Sequence, residues 1–195
     1  MTCIVGFTDR TRGISWIGGD SLAAGGGIKC LVSPPKVFRS ETFPAALIGG
    51  TTSFRHLDLL RYESGLFDAA DYYKGTDIDH KYMVTQFIPK VVKLFKEGII
   101  GEPETDRGGS FIVATPRRVF KIQEDYSVLE PELGFCAVGC GEEVAMGSLL
   151  TTMAMDMPPN ERIVLSLTAA ERYCGGVQRP FHILSTGEDD EIVIP

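Results

Sequence analysis

The chain has 195 residues, 44% hydrophobic and 23% charged, proportions that suit a soluble globular protein and predict a single domain over residues 1–195 with a sizeable core. A net charge of -7 without any Lys/Arg-rich stripe argues against nucleic acid and anionic membrane as partners. No apolar run approaches the roughly 20 residues of a membrane span, no basic, apolar leader opens the chain, and the five cysteines show no paired C-x-x-C spacing, so the expectation is a cytoplasmic protein with reduced thiols and no zinc site.

In chain order, Thr2 to Thr8 reads as a strand, with Ile4, Val5 and Phe7 as strong strand formers. Asp9 to Gly13 is a turn and Ile14 to Asp20 the return strand. Ser21 to Gly27 reads as a flexible loop or bulged strand; it lacks the pattern of a phosphate-binding loop. Strands are expected at Ile28 to Val32, Lys36 to Arg39 and Ala45 to Gly49. Gly49 to Ser53 then opens a helix with hydroxyls available as caps, and Phe54, Leu57, Leu60 and Leu66 supply its apolar stripe.

His80 to Lys96 is a second helical pattern, in which Pro89 predicts a kink or a break. Ile99 to Gly109 reads as a loop. Ser110 to Thr115 and Val119 to Gln123 form a hairpin, followed by short strands at Ser127 to Leu129 and Phe135 to Gly139. Helices are predicted over Glu142 to Met155 and Glu161 to Cys174, separated by Met157-Pro158-Pro159-Asn160 and ended by Gly175-Gly176. Strands at Phe181 to Leu184 and Ile192 to Ile194 flank an acidic turn, Glu188 to Glu191. Strands and helices in blocks, without βαβ alternation, indicate antiparallel sheets with segregated helices, an α+β architecture.

Thr2 is the residue from which chemistry can be argued. It lies directly behind the initiator Met, where a small residue permits trimming of Met1. An N-terminal Thr carries a hydroxyl nucleophile and, on the same residue, an α-amine with a pKa of about 7.7–8.0, able to act as a base near neutral pH. Cys3 is a poorer rival, since two residues would have to be removed to expose it. His56, His80 and His182 fall on different elements and suggest no metal site, and the Met146, Met153, Met155 and Met157 cluster reads as helix packing or a subunit contact.

Five landmarks in order, Thr2-Cys3-Ile4-Val5-Gly6, Gly18-Gly19-Asp20-Ser21, Lys36-Val37-Phe38, Ile48-Gly49-Gly50-Thr51 and a closing pair, resemble the proteasome β-subunit family, with the short HslV-type subunits nearest in shape. The closing pair is Val138-Gly139-Cys140-Gly141 and Glu171-Arg172-Tyr173-Cys174-Gly175-Gly176. The resemblance implies an N-terminal-nucleophile hydrolase, a four-layer αββα sandwich of two antiparallel sheets between helix layers. It implies Thr2 as nucleophile and amine base, Lys36 beside the hydroxyl, Asp20 orienting Lys36, and the Gly49 N–H donating to the oxyanion. Cys140, Glu171 and Cys174 would support, and Ala24, Leu47 and Thr51 would line the substrate pocket, with an apolar preference. It implies no metal or cofactor, a polypeptide substrate and a ring homo-oligomer, and leaves open an ATPase unfoldase as feeding partner.

The departures from the family pattern lie at the supporting positions. Cys140 and Cys174 replace serines and Glu171 an aspartate, and a thiol is a weaker hydrogen-bonding group than a hydroxyl. A threonine peptidase, a catalytically silent scaffold of the same fold and an amidase acting on small substrates all remain compatible with these residues.

Overall fold

Strand β1 (Cys3–Asp9) sends alternate side chains into two different cores. Cys3 and Val5 pack with Ala145, Leu149, Ile163 and Leu167, while Ile4 packs with Ile17, Val37, Leu47 and Val138. This period of two, with both faces apolar, is what a strand covered on both sides requires. The same division recurs in other strands of the computed structural model, where Val37 and Phe38, Val119 and Phe120, and Ile183 and Leu184 each fall into different cores; the structure describes residues 1–25, 27–75, 77–98, 109–187 and 191–195.

The first sheet runs β10 (Phe135–Gly139), β1, β2 (Ile14–Gly19), β11 (Phe181–Ser185), β12 (Ile192–Ile194). The second runs β5 (Val37–Arg39), β6 (Leu47–Gly50), β7 (Phe111–Thr115), β8 (Arg118–Ile122), β9 (Val128–Leu129). All of these pairings are antiparallel. One cluster, including Ile4, Ile17, Ile112 and Val138, fills the space between the sheets. A second lies between the first sheet and helices α5 (Glu142–Thr152) and α6 (Pro159–Tyr173). A third lies between the second sheet and α1 (Phe54–Tyr62), α3 (His80–Tyr82) and α4 (Ile88–Gly98). Three cores separate four layers, so the predicted αββα sandwich is the architecture observed.

Gly18 and Gly19 explain how closely these layers approach. A Cβ on Gly18 would stand 2.4 Å from Ile163 Cγ2 of α6, and one on Gly19 would stand 2.7 Å from Ile4 Cδ1 and 3.0 Å from Val37 Cγ1. One glycine faces the helix layer and the other faces the opposite sheet.

Several expectations change. Of the two readings of Ser21 to Gly27, the loop gives way to a strand: β3 (Leu22–Gly25) pairs with β4 (Ile28–Leu31) as a small separate hairpin, with residue 26 outside the described set. Ser53 does cap α1, its hydroxyl accepting the His56 N–H at 3.2 Å, but Phe54 is exposed and Leu66 lies beyond the helix end. A short helix α2 (Ala69–Tyr73) was not signalled. Pro89 does not break the helix, which runs on through it. The turn before it widens into a π-helical segment (Met83–Phe87), in which the Ile88 N–H bonds the Met83 carbonyl; the wider turn accommodates the ring and missing N–H of Pro89. Pro159, read as a breaker, is the first residue of α6, where its lacking N–H costs nothing. The loop predicted at Ile99 to Gly109 and the acidic turn at Glu188 to Glu191 lie largely outside the described residues.

Candidate active site

Thr2 precedes β1 and is only 3% exposed. Asp20 follows β2, the strand paired to β1, and Lys36 immediately precedes β5 in the opposite sheet. The two sheets therefore bring the three side chains together from distant parts of the chain. Lys36 Nζ donates to Thr2 Oγ1 at 3.0 Å, to Asp20 Oδ1 at 2.8 Å and to the Leu22 carbonyl at 2.6 Å. Asp20 is fully buried and accepts three further donors, the N–H groups of Cys3 (3.0 Å), Leu22 (2.9 Å) and Gln178 (3.3 Å). A buried carboxylate with its lone pairs satisfied in this way can hold a buried ammonium in one orientation.

Burial lowers the Lys36 pKa from the ordinary lysine value, with Asp20 opposing the shift. The Cys3 thiol is pushed far up, chiefly by burial and then by Asp20. A thiol held neutral is a poor nucleophile, which removes Cys3 as a rival to Thr2.

Thr2 Oγ1 and Lys36 open on a cleft of about 210 Å³. Ala24 of β3, Gly50 at the end of β6, and Thr51 and Thr52 line it. Phe54 and Leu57 of α1 contribute its apolar surface, and neither was anticipated as a pocket residue. Met1 also lines the cleft, and its carbonyl accepts the Thr2 hydroxyl proton. With Met1 in place the Thr2 nitrogen is an amide; it donates to Cys140 Sγ at 3.3 Å.

Two expected residues are not where the sequence reading put them. Leu47 is fully buried in the core between the sheets and takes no part in the cleft wall. Gly49 sits within β6, where an added Cβ would stand 2.8 Å from both Ile4 Cγ2 and Val37 Cγ1. The Gly50 N–H points to the β5 side, making a long 3.3 Å bond to the Lys36 carbonyl. Successive N–H groups alternate in a strand, so the Gly49 N–H points away from Lys36, toward β7. Gly50 itself lines the cleft, but its N–H is taken up by that bond to the Lys36 carbonyl.

The supporting residues divide. Cys140 Sγ lies against Thr2 and Cys174 Sγ lies 3.2 Å from Cys140 Sγ. Glu171 does not reach Thr2. It accepts the Arg179 backbone N–H and Nε, both at 2.8 Å, and so ties down the segment whose Gln178 N–H reaches Asp20. No signal in residue spacing announced Arg179 as its partner. Among the described residues no group of His, Cys, Asp and Glu forms a metal-binding cluster, and no helix is long and apolar enough to cross a membrane.

The sequence matches no protein-family model and no curated protein. Solved structures do match in fold. BPH from Thiobacillus denitrificans, in complex with epoxomicin, superposes with a TM-score of 0.72 at 20% identity, covering 100% of both chains. Eukaryotic HslV from Trypanosoma brucei gives 0.70 at 16% identity, covering 94% of this chain and 98% of that one. A Gly-1 mutant of Anbu from Hyphomicrobium sp. strain MC1 gives 0.71 at 14% identity, over 100% of this chain and 87% of that one. The fold is that of the HslV/proteasome type, as the sequence resemblance implied.

Proposed function

We propose that the chain is an N-terminal threonine peptidase that acts once Met1 is removed. The observation that carries this reading is the buried line Asp20–Lys36–Thr2, with Lys36 Nζ within hydrogen-bond distance of both the carboxylate and the hydroxyl at the wall of a cleft. Removal of Met1 frees the hydroxyl proton from the Met1 carbonyl and turns the amide into an α-amine. Thr2 Oγ1 then attacks a peptide carbonyl, its proton passing to the amine directly or through a water. The Lys36 cation favours the alkoxide and the oxyanion that forms as it attacks. The amine returns a proton to the leaving group, and water releases the acyl-threonine ester. Phe54 and Leu57 make the cleft suit an apolar side chain before the scissile bond, with Ala24 and Thr51 beside it.

The same proposal includes self-association and a cytoplasmic setting, and admits an ATPase unfoldase that delivers unfolded polypeptide. Exposed apolar side chains at the α5 end, Leu150 and Met155, support a surface covered by another copy. A silent scaffold is the second reading, favoured by Cys140 and Cys174 at the supporting positions.

Intact mass before and after incubation with a peptide epoxyketone tests both, because the reagent needs the Thr hydroxyl and a free α-amine to form its adduct. The expected result is loss of Met1 and one adduct per chain, absent in Thr2→Ala. A processed Thr2 that never reacts would put the scaffold reading in front.

A further inference from the structure

The two thiols that replace the expected hydroxyls touch each other. Cys140 lies in the turn between β10 and α5, and Cys174 caps the C-terminus of α6, so together they close the open end of the α5–α6 hairpin. Cys174 donates toward Cys140 Sγ at 3.2 Å. Cys140 in turn accepts the Thr2 N–H at 3.3 Å and donates to the Thr2 carbonyl at 3.5 Å. Cys140 is exposed and Cys174 half-buried, whereas Cys3 and Cys136 are buried. Cys30 is exposed but lies on β4 of the small hairpin, away from both.

We propose that Cys140 and Cys174 are a reversible dithiol–disulfide switch acting on Thr2. The bond itself stands apart from the peptidase reading; only its effect on catalysis rests on that reading. Hydrogen peroxide is the oxidant. The Cys140 thiolate, the more exposed of the two, attacks a peroxide oxygen; the O–O bond breaks, water leaves after protonation, and Cys140 becomes a sulfenic acid. Cys174 then attacks the sulfenic sulfur, the S–O bond breaks, a second water leaves and the S–S bond forms. Two thiols lose two electrons and one peroxide becomes two waters. Dithiothreitol reverses the step by thiol exchange.

The consequence for Thr2 follows from the hydrogen bonds. In the disulfide Cys140 has no S–H, so its bond to the Thr2 carbonyl is lost. Its sulfur moves from 3.2 Å to the about 2.05 Å of a disulfide from Cys174, and the Thr2 nitrogen is left beside a poorer acceptor. Oxidation therefore lowers the reactivity of Thr2 about five- to tenfold, the scale of one lost hydrogen bond.

The test treats the full chain with stoichiometric hydrogen peroxide and maps peptides without reduction. The expected product is a Cys140–Cys174 crosslink with loss of two hydrogens, reversed by dithiothreitol. Epoxyketone labelling of Thr2 should fall on oxidation and return on reduction, with the response lost in Cys174→Ser and kept in Cys30→Ser. The carbonyl carbon resonance of Thr2, read through the Cys3 amide, should shift with the same redox dependence, and this readout holds even in protein that never labels, so failure of the peptidase reading is seen separately. Sulfinic acid at Cys140 without a crosslink would overturn the proposal. So would a crosslink that leaves the Thr2 resonance unmoved.

Discussion

Lys36 is the residue on which stability and chemistry meet. It is 1% exposed and its ammonium is compensated by Asp20, which is itself fully buried. Lys36→Met is expected to abolish Thr2 labelling and to cost about 3–5 kcal/mol in urea unfolding, because a buried carboxylate is left without its cation. Adding Asp20→Asn should recover part of that stability and none of the labelling. The pH dependence separates the two roles. Burial places the folded pKa of Lys36 below its unfolded value. Between the two values the unfolded chain binds more protons, so this group's contribution to stability rises with pH; below the folded pKa its burial penalty is present in full. The labelling rate goes the other way, since the cation is lost. The alkaline limb of a pH–rate profile should fall below the ordinary lysine range, and Asp20→Asn should move it lower still, because Asp20 opposes the shift.

At the scale of elements, glycines decide how strands and helices meet. Gly18→Ala drives a methyl toward Ile163 at 2.4 Å and should cost about 1–3 kcal/mol by overpacking the α6 contact. Gly49→Ala, which strikes Ile4, Val37 and Ile17, should likewise lower stability, seen as a lower thermal midpoint. Gly50→Ala meets Leu57 Cδ1 at 3.0 Å and is expected to act mainly on labelling by crowding the cleft. The order of strands and helices was legible because β1, β6 and β7 carry continuous apolar runs between turn residues. Thr2 was legible from its place behind Met1, whereas the roles of Asp20 and Lys36 beside it came through the resemblance; the antiparallel pairing of β1 with β2 and the stacking of two sheets bring the three together. The direction of the Gly49 N–H was not legible, because a one-residue step along a strand reverses it and a linear motif does not display that. The Glu171 pair with Arg179 was hidden for a similar reason: it depends on how the chain returns after α6. Glu171→Gln should leave Thr2 in place but loosen Gln178 from Asp20, read as faster amide exchange at Gln178.

At the scale of the whole molecule, the layer of α5 and α6 leaves Leu150, Met153, Met155 and Leu165 uncovered, with Leu150 57% and Met155 53% exposed. If that face is a self-association surface, Leu150→Glu should shift sedimentation toward smaller species while leaving the far-ultraviolet circular dichroism unchanged. The four-layer build also gives the cleft two walls of unlike construction. Thr2, Lys36 and Gly50 are rooted in sheets enclosed by three cores. Ala24 belongs to a two-stranded hairpin whose outer strand, Ile28 to Leu31, is exposed at every residue. The cleft is thus a vise with one fixed jaw. Deuterium should enter slowly at Ile4 and Ile48 and quickly at Ala24 and Lys29, and a molecule gripped between the jaws should slow exchange at the second pair alone.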